Sequence, residues 1–416
     1  MNRLKGTLIA SAALGLAAVA PAHAQTAEVL HYWTSGGEAA AVASLREAFE
    51  AAGGTWIDSP IAGGGGDAQA TVLRSRVLAG DPPTAVQIKG PNIQEWAEAG
   101  ALANLDEVAA AEGWDDILPP LLREIVTYED HYVAVPVNIH RVNWMWINPE
   151  LLAQVDAEVP TTWEEFNEVA TRLQDAGITP LAHGGQPWQD ATVFETVVLG
   201  IGGPDFYRAA LVDLDPEALT SDTMIEVFDE MRILRGFVDP NFPGRDWNLA
   251  TRMVMNGEAA FQIMGDWAKG EFAAAGLEPG TDYVCAPTPG ASGYILNSDS
   301  FAFFNVEGED RIAGQNLLAS LILGPDFQET FNLLKGSIPA RNDIDMSGFD
   351  ACAQRSAEDL AAAVAEDSLV PSMAHEIAIP RAARGAFLDV VTEHFNSDMS
   401  SEEAVERLLD EVELAQ

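Results

Sequence analysis

Val29-Leu30-His31-Tyr32-Trp33-Thr34-Ser35-Gly36-Gly37-Glu38 is the stretch whose reading decides the fold. Its first residues are apolar and aromatic, which suits a half-buried pleated strand. Ser35-Gly36-Gly37 breaks that strand, and Glu38 opens an alanine-rich helix with Val42, Leu45 and Phe49 on one face. The unit is strand, glycine turn, helix, with two aromatic rings and a carboxylate at the junction. In open α/β sheets ligands sit beyond the carboxyl ends of the strands, where this junction lies. An aromatic face suits the C–H side of a sugar, and a carboxylate accepts two hydroxyl protons. The same residues also read as core aromatics and a helix-N-terminal charge favoured by the dipole. The stretch alone leaves both readings open.

Upstream of it, residues 1–24 read as an export signal and not as part of the fold. Arg3 and Lys5 form a positive region, Leu8 to Ala20 an apolar run, and Ala22-His23-Ala24 a small-x-small cleavage site. The apolar run falls short of the ~20 residues that span a bilayer. Cleavage near Ala24, with no cysteine beside it for a lipid anchor, gives the expectation of a bacterial periplasmic protein. The 392 residues from Gln25 onward are enough for two domains of ordinary size.

Without residues 1–24 the chain carries 20 basic and 64 acidic residues, a net charge of −44. Nucleic acid, whose phosphates would be repelled, is excluded as a partner, and so are anionic membrane surfaces. Excess surface carboxylate is also what a salt-rich habitat selects, so acidity names no ligand. Lysine is scarce: beyond Lys5 only Lys89, Lys269 and Lys335 occur, against 18 arginines. A compact, rotatable three-donor ammonium is one reason to keep lysine at a chosen place. Cys285 and Cys352 are the only cysteines, and an even pair in an oxidising compartment is expected to form a disulfide. Two cysteines without clustered histidines make a poor zinc site, and no metal or cofactor is expected.

Further along, Gly63-Gly64-Gly65-Gly66 reads as a turn, with Asp67 as N-cap of a helix Ala68 to Ala79. The glycines lack the Gly-Lys-Ser/Thr ending of a phosphate loop. A strand follows at Thr84 to Ile88 and ends at Lys89, again a polar side chain at a strand's carboxyl end. The run Tyr132 to Asn138, continuing into Trp144 to Asn148, suits a strand that leaves one domain and enters another. Thr162 and Glu165 form a capping box before the next helix. Extended segments recur at Tyr294 to Phe304 and at Lys335 to Pro339. Three such crossings, separated by long α/β stretches, predict two lobes that share the chain back and forth.

Taken together, the sequence resembles the family-1 extracellular solute-binding proteins of carbohydrate ABC importers, and within them the glucose/mannose-binding branch. The resemblance covers essentially the whole chain after the signal. It is carried by His31 to Glu38, Gln87 to Pro91, Val135 to Arg141, His183 to Asp190, Asp246 to Leu249, Met264 to Lys269, Lys335 to Asp343 and Pro371 to His375. It implies an α/β, type II two-lobed periplasmic-binding-protein fold with a hinge of about three crossings and the ligand in the inter-lobe cleft. The lobes would comprise residues 25–136 with 298–334, and 137–297 with 335–416. Sugar-contacting positions fall on Tyr32, Trp33, Glu38, Lys89, Asp299, Lys335 and His375. Trp247 and Trp267 match aromatic cleft positions, and Gln186 and Trp188 are further candidates. Relatives tend to carry two tryptophans where this chain has Tyr32-Trp33.

The resemblance further implies a monomer that captures a neutral monosaccharide, glucose first and galactose or mannose next, and hands it to membrane permease subunits. The chemistry of the residues agrees: Glu38 and Asp299 balance Lys89 and Lys335, which suits a neutral polyol more than a sugar acid. Three alternatives compete. A secreted glycosidase also uses two carboxylates and stacking rings, but the chain has no His-Glu-x-x-His or Gly-x-Ser-x-Gly motif. A receptor of the same fold could serve chemotaxis, or take a disaccharide or xylose.

Overall fold

The structure is a computed structural model that describes residues 25–290 and 292–416, so the expected export signal at 1–24 lies outside the described residues. The opening stretch folds as read. The strand Gln25–His31 ends just before Tyr32, and the helix Gly36–Ala51 follows with Ala41, Val42, Leu45 and Phe49 buried. That strand lies inside a five-stranded sheet ordered Gly54–Pro60, Gln25–His31, Ala85–Ile88, Ser300–Phe303, Ala134–Pro136. The first three strands are parallel, joined by helices, and Ser300–Phe303 runs antiparallel to both of its neighbours.

A second sheet is ordered Val284–Pro287, Trp144–Ile147, Ala259–Ile263, Thr179–Leu181. The inner strands of both sheets, Ala85–Ile88 and Ser300–Phe303 in the first and Trp144–Ile147 and Ala259–Ile263 in the second, are buried at every residue because helices cover them. Each sheet has its own large hydrophobic core. A third, three-stranded sheet (Leu369–Pro371, Tyr294–Asn297, His140–Arg141) sits where the chain changes sheets.

The crossings lie side by side. Ala134–Pro136 leaves the first sheet and reaches the second through His140–Arg141; Tyr294–Asn297 returns to the first through Ser298-Asp299. Val137 N donates to Asp299 O at 2.9 Å, and Ile139 pairs with Ile338 of the third passage. That third passage starts later than its sequence suggests. Lys335, expected in an extended segment, is the last residue of the helix Pro325–Lys335, which Gly336 stops at φ +88°.

A second departure concerns Asp67. It is the first residue of the helix Asp67–Leu78, preceded by left-handed Gly66 in the cap position, so its carboxylate caps nothing. It reaches instead across to Arg381 (3.1 Å) and Arg384 (3.2 Å) of the helix Arg381–Asn396. The capping box at Thr162 and Glu165 does form, on the helix Trp163–Asp175. Cys285 of Val284–Pro287 is bonded to Cys352 of the helix Ala351–Ala365, tying that helix to the second sheet. No helix among the described residues is long and apolar enough to cross a membrane.

Candidate functional site

Strand ends and helix starts from both large sheets converge on one cleft. The first sheet supplies Tyr32 and Trp33 after Gln25–His31, Glu38 in the first turn of its helix, and Lys89 after Ala85–Ile88. Helix starts near the second sheet supply Trp188, Trp247 and Trp267. Asp299 comes from the second crossing, Lys335 from the end of the helix Pro325–Lys335 just before the third, and His375 from the loop after Leu369–Pro371. Ten of the eleven residues singled out in the sequence line this cleft. Gln186 does not: it lies in an adjoining recess of about 150 Å³, donating to Asp246 at 2.8 Å and accepting from Trp188 Nε1 at 3.0 Å.

Asp299 is the node of the arrangement. Its Oδ1 accepts from Tyr32 OH (3.2 Å) and Gln87 Nε2 (3.0 Å), and its Oδ2 accepts from Asn138 Nδ2 (3.1 Å) and pairs with His140 Nε2 (3.2 Å). His140 is held on its other nitrogen by Asp266. Burial alone would raise the Asp299 carboxyl; the His140 bond and the Lys89 and Lys335 ammoniums overcome this and hold it well below the usual range. Burial pushes the Lys89 ammonium down, against the pull of Asp299 and Glu376. Lys89 Nζ stands 5.6 Å from the Tyr32 ring centre.

On the opposite flank, Lys335 Nζ is 3.5 Å from Glu38 Oε1 and 5.5 Å from the centre of the Trp33 ring. Trp33 belongs to the core of the first sheet and to the wall of the cleft at once. It packs edge-on against Phe301 (5.7 Å) and tilted against Phe331 (5.5 Å) while lining the cleft. The His375 ring stands against Trp267 at 4.8 Å and Trp188 at 5.9 Å, and its Nε2 meets Thr192 Oγ1 at 3.1 Å. Burial, then Lys89 and Arg384, push the His375 imidazolium well down, so the ring is neutral near pH 7.

Four lining residues were not singled out in the sequence: His140, Asn297, Gly64 and Gly65. His140 and Asn297 sit two residues or fewer from positions already noticed, inside the crossings. The glycines gave only a turn signal. In the fold Gly64 and Gly65 take φ of +63° and +62°, and a Cβ on Gly65 would lie 3.2 Å from the Trp188 ring. The backbone there is the seat of an indole from the far side of the cleft. Lys269 pairs with Asp350 at 2.6 Å, away from the lining.

The cleft leaves a cavity of only about 30 Å³. Its walls are therefore nearly in contact. Among the described residues no cluster of three or more histidine, cysteine, aspartate or glutamate side chains is arranged to hold a metal ion.

Residues 34–300 match the family described as bacterial extracellular solute-binding protein. The chain is 53% identical over 410 residues to a "Probable sugar-binding periplasmic protein" of Rhizobium meliloti, covering 98% of this chain and 99% of that one. A protein of the same description from Brucella melitensis is 52% identical over 412 residues, covering 99% and 97%. Among solved structures the fold is similar to the bacterial solute receptor AcbH, described as having an exclusive substrate preference for β-D-galactopyranose. That match has a TM-score of 0.79 at 18% identity, covering 94% of this chain and 99% of the receptor.

Proposed function

The chain belongs to the bacterial extracellular solute-binding protein family, and we propose that it captures a neutral monosaccharide, glucose first and galactose or mannose next. Capture takes place in the periplasm, by closure of two lobes, and the loaded monomer delivers its sugar to the permease subunits of an ABC importer. The lobes on this reading are residues 25–136 with 298–334, and 137–297 with 335–416. The observation that carries the proposal is the charge balance of the cleft: Glu38 and Asp299 face Lys89 and Lys335 between Tyr32, Trp33, Trp188, Trp247 and Trp267. A sugar hydroxyl donates to a carboxylate and accepts from an ammonium, while the ring's C–H face lies on indole. A sugar acid would need surplus cation.

The near-contact of the walls fits a cleft that must open to admit a sugar. Binding then closes it only so far as the sugar makes contacts in the closed form that it lacks in the open one. No bond is broken in such a cycle, and no metal or cofactor takes part. A second reading is favoured by the adjoining recess, lined by Thr34, Ser35, Gly63, Gln186, Asp246 and Asn248, which would lodge the second ring of a disaccharide.

The experiment is a titration of the protein with glucose, galactose, mannose, xylose, a disaccharide panel and a sugar acid, with recovered ligands analysed afterwards. One unchanged monosaccharide bound per chain supports the first reading, and a preferred disaccharide supports the second. Strong binding of only the sugar acid, or cleavage of a glycoside, refutes both.

A further inference from the structure

Behind the cleft lies a carboxylate that is hydrogen-bonded to none of its lining residues. Glu195, fully buried on the helix Pro187–Leu211, collects four neutral donors. Its Oε1 accepts from Ser372 Oγ (2.7 Å); its Oε2 accepts from Met373 N (2.8 Å), Ala374 N (3.1 Å) and Tyr207 OH (2.8 Å). Three of the four come from consecutive residues of the loop that ends in His375. Ser372 Oγ in turn accepts from His375 N at 3.1 Å. One turn before Glu195, Thr192 holds the His375 ring itself. Tyr207 reaches Glu195 only because its helix is broken at Gly203 (φ +76°, ψ 177°) before Pro204, which folds the following turn back.

An unpaired buried carboxylate is a costly way to satisfy two backbone N–H groups that a carbonyl could satisfy. From this geometry we infer that Glu195 is a positioning residue for ligand capture: its carboxylate fixes the loop 372–375 and so aims the His375 ring into the cleft. The inference rests on the reading of the cleft as a sugar site. Bonds to an ionised acceptor are roughly twice as strong as neutral ones, so the loop is held hardest when Glu195 is charged. When it is protonated, the Tyr207 hydroxyl can turn to its alternative acceptor, Pro371 O at 3.0 Å, and the loop loosens.

Burial pushes the Glu195 carboxyl up to about 7, against the four donors that pull it down. The titratable and charged groups that reach the loop are Tyr207, Glu376 and, from the helix Arg381–Asn396, Arg384, whose Nε donates to Ala374 O at 2.8 Å; on the cleft side Lys89, Asp299 and His140 act on His375. The helix Asp222–Arg235, packed on the same helix, presents mainly apolar side chains, Met224, Val227, Phe228, Met231 and Leu234, with Glu230. A raised folded value means that the stability owed to Glu195 is full below its unfolded value near 4.5 and is lost as pH rises through about 7. Ligand affinity should run the other way, rising over that range as the charge tightens the loop. A merely structural residue would move stability alone.

The test compares glucose affinity and thermal stability at pH 5.5 and pH 8 for the parent, Glu195→Gln and Tyr207→Phe. Glutamine imitates the protonated acid. The expected result is parent affinity about tenfold weaker at pH 5.5, roughly 1.4 kcal/mol. Glu195→Gln should stay at the weaker value at both pH values. Tyr207→Phe serves if Glu195→Gln does not fold, and should weaken binding at pH 8. Parent-like affinity and pH profile in whichever variant folds would overturn the inference.

If the parent binds none of the sugars, it is the reading of the cleft that fails. The positioning role is then read from tryptophan emission of the sugar-free protein, since Trp188 and Trp267 abut His375. A pH-dependent change near pH 7, present in the parent and absent in Glu195→Gln, upholds it; no such difference overturns it.

Discussion

Asp299→Asn is the most informative single substitution, because the structure makes the carboxylate a structural node as well as a group lining the cleft. A charge beside a crossing, if solvated, could be lost without harm to the free protein. The four partners on its two oxygens argue otherwise. Asparagine keeps one oxygen and sets an amide donor against two donors. The cheapest orientation turns the amide toward His140, which can accept at Nε2 with its proton on the Asp266 side, leaving the Asn138 bond lost. One charge-assisted hydrogen bond is worth about 1.5–3 kcal/mol, so the free variant should melt roughly 2–4 °C below the parent in a chain of this length.

The acid limb carries the same signature. The Asp299 carboxyl is held well below its ordinary value of 3.8, so its stabilisation is complete above that pH and is lost as pH falls below it. The variant should lack this part of the parent's loss. Sugar affinity should fall at least about tenfold, at about 1.4 kcal/mol per decade. Thermal unfolding between pH 3 and 7, with and without sugar, is the assay. Superimposed melting curves and equal affinities for parent and variant would refute the reasoning.

Trp267→Ala should lower sugar affinity more than stability, since its ring lines the cleft; a large drop in melting temperature with unchanged affinity would mark it as core alone. Asp67→Ala removes the pairs to Arg381 and Arg384 without touching the lining. Asp67 is half exposed, so the pair is worth about 0–1 kcal/mol; calorimetry should find affinity reduced up to about fivefold, and the loss should vanish at high salt. Lys335→Met should weaken binding roughly tenfold or more by removing the ammonium beside Glu38, and parent-like affinity would contradict that. Mass spectrometry of unreduced protein should find no free thiol. Reducing Cys285–Cys352, 67 residues apart, should cost up to about 4 kcal/mol of stability on the chain-entropy model.

Local signals carried much of this fold. The strand–glycine–helix unit at Val29 to Glu38, the capping box at Thr162 and the buried strand near Trp146 depend on neighbours in sequence, and each forms where its pattern lies. Signals that depend on distant partners did not transmit. Asp67 has the chemistry of a cap, but left-handed Gly66 takes the cap position and two arginines more than 300 residues away claim the carboxylate. Gly64 and Gly65 read as a turn because nothing local announces the Trp188 ring that rests on them. His140 stood inside a motif already noticed, yet its place between Asp266 and Asp299 exists only once the crossings lie together. Glu195 was invisible among 64 acidic residues, since only burial distinguishes it.

The central claim is that a neutral aldohexose occupies the cleft between the two sheets. The measurement that tests it most directly is isothermal titration of the protein with glucose, galactose and mannose, repeated on Trp267→Ala. The account predicts saturable binding of at least one of these, one molecule per chain, and a loss of at least tenfold in the variant. Heat from none of the three, or equal affinity in parent and variant, would contradict it.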